Sequence, residues 1–298
     1  MTDVGDRGHT GGVPELPEIH ALAADLGGRL AGRTIDRVDI VSFAALKTFE
    51  PSVSALAGRT INTVARHGKF LDFSIGDLHL IMHLARAGWI RWRDGPPAPA
   101  GRLGKGPLAA RLVLEDGSGL DITEAGTKKS LAISIVTDPA DVPGIARLGP
   151  DPLDDSFTRD DFFAILQSAG RSQIKGLLRN QSVIAGIGNA YSDEILHAAR
   201  MSPFKPAAMS GGEASGLYDS MQATLAGAIA RADGLAASEL KKEKKSGMAV
   251  HGRTGQACPV CGDTVHQVIF ADSTLQYCPT CQTGGKPLAD RVLSRLLK

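Results

Sequence analysis

The stretch Val13–Glu18, with the sequence VPELPE, opens the patterned part of this 298-residue chain. Twelve residues, MTDVGDRGHTGG, precede it without apolar periodicity and are expected to form a disordered extension. After it, apolar residues recur at helical spacing from Ile19 to Leu30, and Pro17 suits the first helical position. The nitrogen of Pro14 is a secondary amine only if this proline is the first residue, and otherwise it is an amide without nucleophilic chemistry.

Composition favours a protein of two domains, because a chain of 298 residues is near the ceiling for a single core. The sequence has no apolar run long enough to span a bilayer and no secretory leader pattern, so an intracellular protein without a membrane partner is expected. Residues 171–298 carry 15 Lys and Arg against 10 Asp and Glu, although the whole chain has a net charge of only +1. This local excess is compatible with binding to a polyanion.

Short β runs replace the helical pattern between residues 34 and 136. Turn residues separate several of these runs, which is typical of an antiparallel sandwich. Residues 137–157 contain four prolines and are predicted to be an interdomain linker. Helical patterns follow at 160–169, 172–178, 189–199 and 212–232. The predicted strands are 34–41, 60–65, 70–75, 78–84, 89–92, 111–114 and 130–136. The fold class expected is α+β, with a leading helix, an antiparallel β-sandwich and then a helical domain.

Two Cys-x-x-Cys pairs, sixteen residues apart, contain all four cysteines of the chain: Cys258, Cys261, Cys278 and Cys281. Each pair can present two thiolates to one ion, and a hairpin between the pairs brings them together. Four thiolates close a tetrahedral Zn²⁺ site with no open position, so the predicted metal is structural. The alternative, a redox Cys-x-x-Cys, lacks its usual βαβ setting.

Three stretches together resemble the formamidopyrimidine-DNA glycosylase/endonuclease VIII family. Residues 14–18, PELPE, resemble its N-terminal signature. Residues 174–178 (IKGLL), 184–191 (IAGIGNAY) and 193–196 (DEIL) resemble its helix–two-turns–helix DNA-binding element. The cysteine hairpin, introduced by VHGRTG at 250–255, resembles its zinc finger, and the matching order runs from residue 13 to about 283.

The resemblance implies a bifunctional DNA glycosylase/AP lyase of base excision repair, which excises oxidised bases and cleaves abasic sites. Its partner would be damaged double-stranded DNA, bound by a monomer in the bacterial cytoplasm at the nucleoid. The implied organisation is an extension (1–12), a catalytic β-sandwich (13–136), a linker (137–157), a helix–two-turns–helix domain (158–247), a zinc finger (248–285) and a tail (286–298).

The same resemblance assigns roles to the residues of these motifs. Pro14 would be the nucleophile that forms a Schiff base with the sugar C1′, Glu15 its acid/base partner and Glu18 a supporting carboxylate. Lys69, in the stretch RHGKF, would bind phosphate beside the abasic sugar, although a solvated surface lysine is the alternative. Asn189 would hold a phosphate at the start of a helix. Lys175 and Tyr191 are expected to join that phosphate site, with helix packing as the alternative for Tyr191.

Three departures from the family pattern change the expected DNA contacts. Ser273 stands where family members carry an arginine in the zinc finger, so its hydroxyl would meet phosphate without charge assistance. Arg86 takes the position of a methionine wedge, and Lys128 and Lys129 lie in the segment that usually supplies a second wedge. The segment 239–247 is short, so the longer loop with which family members cover a flipped 8-oxoguanine is expected to be absent, and oxidised pyrimidines, ring-opened purines or abasic sites are the expected substrates. The lysine run 241–245 within it is predicted to be solvated and mobile, with a nonspecific phosphate contact as the alternative.

The sequence leaves three functions open: an enzyme that uses Pro14, a catalytically weak or inactive protein that binds damaged DNA at abasic sites, and a scaffold that uses the zinc ribbon for protein contacts. The codon GTG, which encodes valine, is also a bacterial start codon. Translation is therefore expected to begin at position 13, with methionine removal exposing Pro14. The alternatives are proteolytic trimming of the leading residues, or a true extension that leaves the Pro14 nitrogen an amide.

Overall fold

The first described element of the computed structural model is helix α1, Leu16–Leu30, and the structure describes residues 13–97, 106–125, 128–270 and 273–289. The Glu15 N–H donates to the Glu18 carboxylate over 2.8 Å, and Pro17 lies in the first turn. Leu16, Ile19 and Leu22 are fully buried on one face of α1. The helix predicted from apolar spacing is confirmed.

Eight antiparallel strands form two four-stranded sheets that enclose one apolar core. Their orders are β1-β6-β7-β5 and β2-β3-β4-β8. The predicted sandwich is therefore confirmed. The strands are β1 (Ile35–Ile40), β2 (Ile61–His67), β3 (Phe70–Ile75), β4 (Leu78–His83), β5 (Gly88–Arg93), β6 (Leu108–Leu114), β7 (Gly119–Glu124) and β8 (Ala132–Val136).

The segment predicted as a linker, 137–157, is packed against the second sheet. It contains the short helix α2, Pro143–Ala146, and a Cβ on Gly144 would lie only 2.5 Å from the Phe70 ring. Asp151 pairs with Arg66 of β2 at 2.6 Å. These contacts attach the segment to the sandwich, whereas Phe157 at its end is buried in a second apolar core.

Five helices follow; the first four build a second apolar core, and Leu240 of the fifth packs into the core of the sandwich. Helix α6 also packs against α1, which joins the helical domain to the sandwich. The helices are α3 (Arg159–Ala169), α4 (Ile174–Arg179), α5 (Asn189–Ala198), α6 (Gly211–Ala232) and α7 (Leu240–Gly247).

Helix α7 corrects the prediction that the lysine run 241–245 is a solvated, mobile segment. Leu240 and Lys244, one helical turn apart, are buried, with relative exposures of 0% and 5%. Lys242 and Lys245, on other faces of the helix, are exposed as predicted.

The chain then forms a small hairpin module of β9 (His266–Ile269), β10 (Thr274–Tyr277) and α8 (Pro279–Thr283). Together with the sandwich and the helices this hairpin confirms the mixed fold expected. Over the part of the chain that the structure describes, no helix is long and apolar enough to cross a membrane.

Candidate active site

The carboxylate of Glu15 lies at the N-terminus of helix α5, in the other domain. It accepts the backbone N–H groups of Gly188 at 2.7 Å, Ala190 at 2.9 Å and Tyr191 at 3.2 Å. A helix N-terminus leaves such donors without intrahelical partners and carries positive potential, so it suits an anion. The residue after Pro14 is thereby held in one orientation, and Pro14 itself is buried.

Glycines make this close approach possible. A Cβ on Gly188 would lie 2.4 Å from the Glu15 carboxyl carbon, and one on Gly186 would lie 2.6 Å from Leu16. Gly186 also has a φ of +87°, which favours glycine, and its carbonyl accepts the Leu16 N–H at 3.0 Å. The glycines of the motif therefore fix α1 against α5.

Electrostatics keep Glu15 ionised. Burial alone would raise its pKa, but the charges of Lys244 and Lys69 and the Ala190 N–H together lower the pKa to about 2. At neutral pH Glu15 is therefore an ionised carboxylate.

Glu18 is the centre of a second buried network beside Pro14. One of its oxygens accepts the Tyr191 hydroxyl at 2.6 Å, and the other accepts the Lys244 ammonium at 2.7 Å. The same ammonium donates to the Val13 carbonyl at 2.9 Å and lies 4.9 Å from the Tyr191 ring centroid. Burial and the negative charge of Glu18 raise the pKa of Tyr191, so its hydroxyl stays protonated.

Lys69 follows Gly68 in the turn between β2 and β3, where Gly68 has a φ of +54°. Its side chain is half-buried. Burial lowers the pKa of Lys69, and the negative charge of the nearby Glu15 carboxylate opposes that change. The structure thus brings Pro14, Glu15, Glu18 and Lys69, all predicted from the sequence, to one place.

Lys175 and Tyr191, predicted to contact phosphate, are both internal. The Lys175 ammonium donates to Asp193 at 2.6 Å, to the Ser192 hydroxyl at 2.7 Å and to the Asn189 carbonyl at 3.1 Å. Its relative exposure is 5%, and that of Tyr191 is 1%. Both residues shape the start of α5 from inside, so for Tyr191 the packing alternative describes its position.

Asn189 connects the helical domain to the hairpin module. Its side-chain N–H donates to the Thr274 carbonyl at 2.7 Å, whereas its Oδ1 is buried and accepts no hydrogen bond within the described residues. Ser273 immediately precedes Thr274, at the start of β10. The predicted phosphate ligands Asn189 and Ser273 are therefore close in space.

Asp193 and Glu194 of α5 bind residues 249–251, which lie just before the first cysteine in the sequence. Glu194 accepts the N–H groups of Ala249, Val250 and His251 at 2.7–3.0 Å. Asp193 accepts the His251 ring nitrogen at 2.8 Å in addition to Lys175. Helix α5 therefore supports Glu15 at its N-terminus and the hairpin module along its side.

The four cysteines form the predicted metal centre. Their sulfurs all lie within 4.8 Å of one another, with Cys258–Cys281 at 3.9 Å and Cys261–Cys278 at 3.4 Å. Tetrahedral zinc with bonds of about 2.3 Å would separate its sulfurs by about 3.8 Å. The donor set therefore fits one structural Zn²⁺, and the His197 ring nitrogen, 3.2 Å from the Cys258 sulfur, supports it from α5.

The residues predicted to probe the DNA helix lie on exposed turns of the sandwich. Arg86 is in the β4–β5 turn, where Gly88 N–H donates to the Leu84 carbonyl at 2.8 Å. Lys128 and Lys129 are exposed between β7 and β8, and Lys129 donates to the Glu124 carbonyl at 2.6 Å. Residues 126 and 127 of this predicted wedge segment lie outside the described residues.

Three family models match successive parts of the chain. Residues 13–127 match the formamidopyrimidine-DNA glycosylase N-terminal domain, 148–239 its H2TH domain and 255–284 the zinc finger found in FPG and IleRS. The formamidopyrimidine-DNA glycosylase of Thermus thermophilus is 35% identical over 284 residues, which are 92% of this chain and 100% of that relative. The chain belongs to the formamidopyrimidine-DNA glycosylase family. The expected relationship is confirmed, and with it a DNA glycosylase of base excision repair is the function that the family supports.

Solved structures of formamidopyrimidine-DNA glycosylases are similar to this structure over most of the chain. The Thermus thermophilus enzyme has a TM-score of 0.76 at 32% identity, with 92% of this chain and 100% of that chain covered. The Lactococcus lactis enzyme, solved non-covalently bound to DNA with an AP site, has a TM-score of 0.77 at 27% identity, with 90% and 99% covered. An uncharacterized formamidopyrimidine-DNA glycosylase-like protein of Mycobacterium tuberculosis is 54% identical over 160 residues, 53% of this chain and 99% of that protein.

Lys244 is the site residue that sequence reasoning missed. A run of lysines usually forms a solvated surface, and the run 241–245 was interpreted in that way although Lys244 is buried. The available signal was the spacing of Leu240 and Lys244, since residues four apart share a helix face.

Proposed function

We propose that this protein is a bifunctional DNA glycosylase and AP lyase, which excises oxidised bases from double-stranded DNA and cleaves abasic sites through a Schiff base on Pro14. The observation that carries the proposal is the position of Pro14: it is buried beside a carboxylate that three backbone N–H groups hold in place. An amine near such a carboxylate can lose its proton to it and attack C1′.

In this proposal Pro14 must carry a free amine, because an amide nitrogen has no lone pair available for attack. Glu15 accepts the proton that Pro14 loses, Glu18 fixes the entrance of α1, and Lys69 binds the phosphate next to the sugar. Asn189 and Ser273 bind DNA phosphate beside the zinc module, and Lys175 and Tyr191 position α5. Arg86, Lys128 and Lys129 contact the duplex from the sandwich turns.

For substrates, we propose abasic sites and small oxidised or ring-opened bases. The short helix α7 packs against α1 and takes up the segment in which the longer covering loop of the family was expected to be absent. A flipped base is then enclosed less completely, which favours small lesions. Excision rates on duplexes with an oxidised pyrimidine should exceed those with 8-oxoguanine, and the reverse order would contradict this preference.

The test compares two forms of the chain, one that begins at Pro14 and one that retains residues 1–13. No described helix or strand precedes Leu16, so the shorter form keeps every described element. Each form is mixed with a duplex that contains one abasic site and is reduced with borohydride. The Pro14-terminal form should give a covalent protein–DNA adduct and a cleaved strand, and the longer form should bind without an adduct. A Pro14-terminal form that binds this duplex but gives neither product would refute the proposal.

A second candidate function is damage recognition without catalysis. Two observations favour it: Val13 makes the Pro14 nitrogen an amide in the chain as written, and no arginine occurs between Cys261 and Cys278. It predicts salt-sensitive binding to the abasic duplex and no strand cleavage by either form.

A further inference from the structure

Phe43 is the most exposed large apolar side chain in the part of the chain that the structure describes. Its relative exposure is 76%, although phenylalanine is usually a buried residue. It begins the single 3₁₀ turn Phe43–Ala45, which follows β1. Ala45, at the other end of this turn, is buried in the core of the sandwich. The turn is therefore anchored through Ala45 and leaves the ring of Phe43 in solvent.

Backbone hydrogen bonds hold the turn on both sides. Just before it, the Ser42 N–H donates to the Ala109 carbonyl of β6 at 2.8 Å. Just after it, the Lys47 N–H donates to the Ile133 carbonyl of β8 at 2.8 Å. Phe43 is thus fixed between the start of β6 and the start of β8, on backbone that is bonded to both sheets.

This position is at the same end of the sandwich as Lys69. In the second sheet the first residue of β3, the last of β4 and the first of β8 are paired in a row, so the β2–β3 turn and the start of β8 share one end. The β4–β5 turn with Arg86 and the β7–β8 connection with Lys128 and Lys129 join the two sheets at this end. The end therefore carries positive charge that attracts a polyanion such as DNA.

The cationic connections at this end contain no ring of Phe, Tyr or Trp. The β4–β5 connection reads LARA at 84–87, and the β7–β8 connection reads AGTKKSL at 125–131. Phe70, which begins β3, is half-buried and packs against the His83 ring with a centroid distance of 4.6 Å. Among the described residues, Phe43 is therefore the exposed aromatic side chain at this end.

The width of the sheet separates Phe43 from the sugar-binding side. Strands β2 and β8 are the two edges of the second sheet, three strand spacings or about 14 Å apart. Lys69 lies at the β2 edge and Phe43 beside the β8 edge. Phe43 therefore meets a different nucleotide from the one whose phosphate Lys69 would bind.

A flat apolar ring needs a base whose face is accessible. In an intact duplex a base offers its edges in the grooves, because its faces are stacked. Extrusion of a damaged nucleotide leaves the base opposite without a pairing partner, and an unpaired base leaves the stack at low cost. Unstacked bases bind aromatic side chains through their faces.

Building on the proposed function, we propose that Phe43 is a stacking platform for the unpaired base opposite the lesion. The ring holds the complementary strand while the damaged nucleotide occupies the site of Pro14. Phe43 is thus a positioning residue, which makes recognition of the lesion depend on the base across from it.

The experiment measures the affinity of the Pro14-terminal form and its variants Phe43→Ala, Phe43→Tyr and Phe49→Ala for three duplexes. The first carries tetrahydrofuran, an abasic analogue that cannot react, opposite cytosine. The second carries tetrahydrofuran in both strands at that position, and the third is undamaged. Phe49 is the matched control, because it is 73% exposed but follows Thr48, whose hydroxyl accepts the Ile135 N–H in the far half of β8.

Phe43→Ala should weaken binding to the tetrahydrofuran–cytosine duplex by about tenfold, as loss of one base–aromatic stack does. Its affinity for the other two duplexes should not change, because neither presents an unpaired base. Phe43→Tyr should bind as the unsubstituted form, since the phenol ring keeps its face, and so should Phe49→Ala. Urea unfolding should show equal stability for all four proteins.

Weakening of Phe43→Ala by the same factor on all three duplexes, or on none, would overturn the stacking role. Equal affinity of the unsubstituted form for the three duplexes would overturn it too. The lyase function is judged separately by the borohydride adduct on a natural abasic site. Binding to tetrahydrofuran needs no chemistry, so the affinity pattern can hold where no adduct forms and can fail where one does.

Discussion

Replacing Glu15 by Gln tests the link between the two domains in a way that does not depend on DNA. The substitution removes the charge that three N–H groups of α5 surround, and the amide N–H₂ would face donors. The pKa of Glu15 falls from an ordinary 4.5 to about 2, since nearby cations and the Ala190 N–H outweigh burial. That difference corresponds to about 3 kcal/mol of stability at neutral pH.

The sign of the pH dependence follows from the lowered pKa. Protonation of the unfolded chain begins near pH 4.5 and that of the folded chain near pH 2, so this stability is complete above pH 4.5 and is lost as the pH falls through about 2. Gln resembles a protonated carboxyl. The difference in the free energy of unfolding between the natural chain and Glu15→Gln should therefore fall at pH 3 to about half of its value at pH 7.

Urea unfolding of both chains at pH 7 and pH 3 measures this difference. Acid also weakens zinc binding, but it does so in both chains, so that effect cancels. Glu115→Gln is the control, because Glu115 is exposed and its loss should change stability by less than about 0.5 kcal/mol. A difference for Glu15→Gln that is independent of pH would refute the electrostatic reasoning.

Three further predictions concern the scaffold. Lys175→Met should lower the free energy of unfolding by about 3–5 kcal/mol, because it leaves Asp193, which is fully buried, without its lysine partner; a loss no greater than that of Lys242→Met would contradict this. Gly188→Ala should slow adduct formation by about 10²-fold by displacing Glu15, whereas Gly216→Ala, with no neighbour near its added methyl, should not. Removing zinc with a chelator should abolish DNA binding while circular dichroism still shows the sandwich; retained binding by a zinc-free chain would contradict it.

Features with a local periodic signal were predictable from the sequence. Helix α1 has an apolar stripe, seven of the eight sandwich strands have compact apolar runs, and the Cys-x-x-Cys spacing predicts a tetrahedral metal site. Strand β7 is not among the predicted strands: Gly119 starts it directly after the turn at Asp116, and only Leu120 and Ile122 alternate with polar residues in it. Once folded, that strand lies in the middle of its sheet.

The roles of charged residues were harder to predict, because burial of a charge depends on distant partners. Lys175 was predicted to bind phosphate, but its ammonium forms a buried ion pair with Asp193, which is eighteen positions away in the sequence. Lys244 is paired with Glu18 across 226 positions, a contact that no local pattern contains. Pro14, Glu15 and Glu18 were predicted as site residues from the resemblance of one short motif to a family signature, although the α5 donors that hold Glu15 were visible only in the structure.

The central claim, that the Pro14 nitrogen is the nucleophile, is tested most directly by locating the covalent bond. The Pro14-terminal form is trapped with borohydride on abasic DNA, the adduct is digested with nuclease and protease, and the peptides are analysed by mass spectrometry. We predict that the sugar remnant is attached to the N-terminal peptide at Pro14. Attachment to Lys69 or Lys244 instead, with Pro14 unmodified, would contradict the claim.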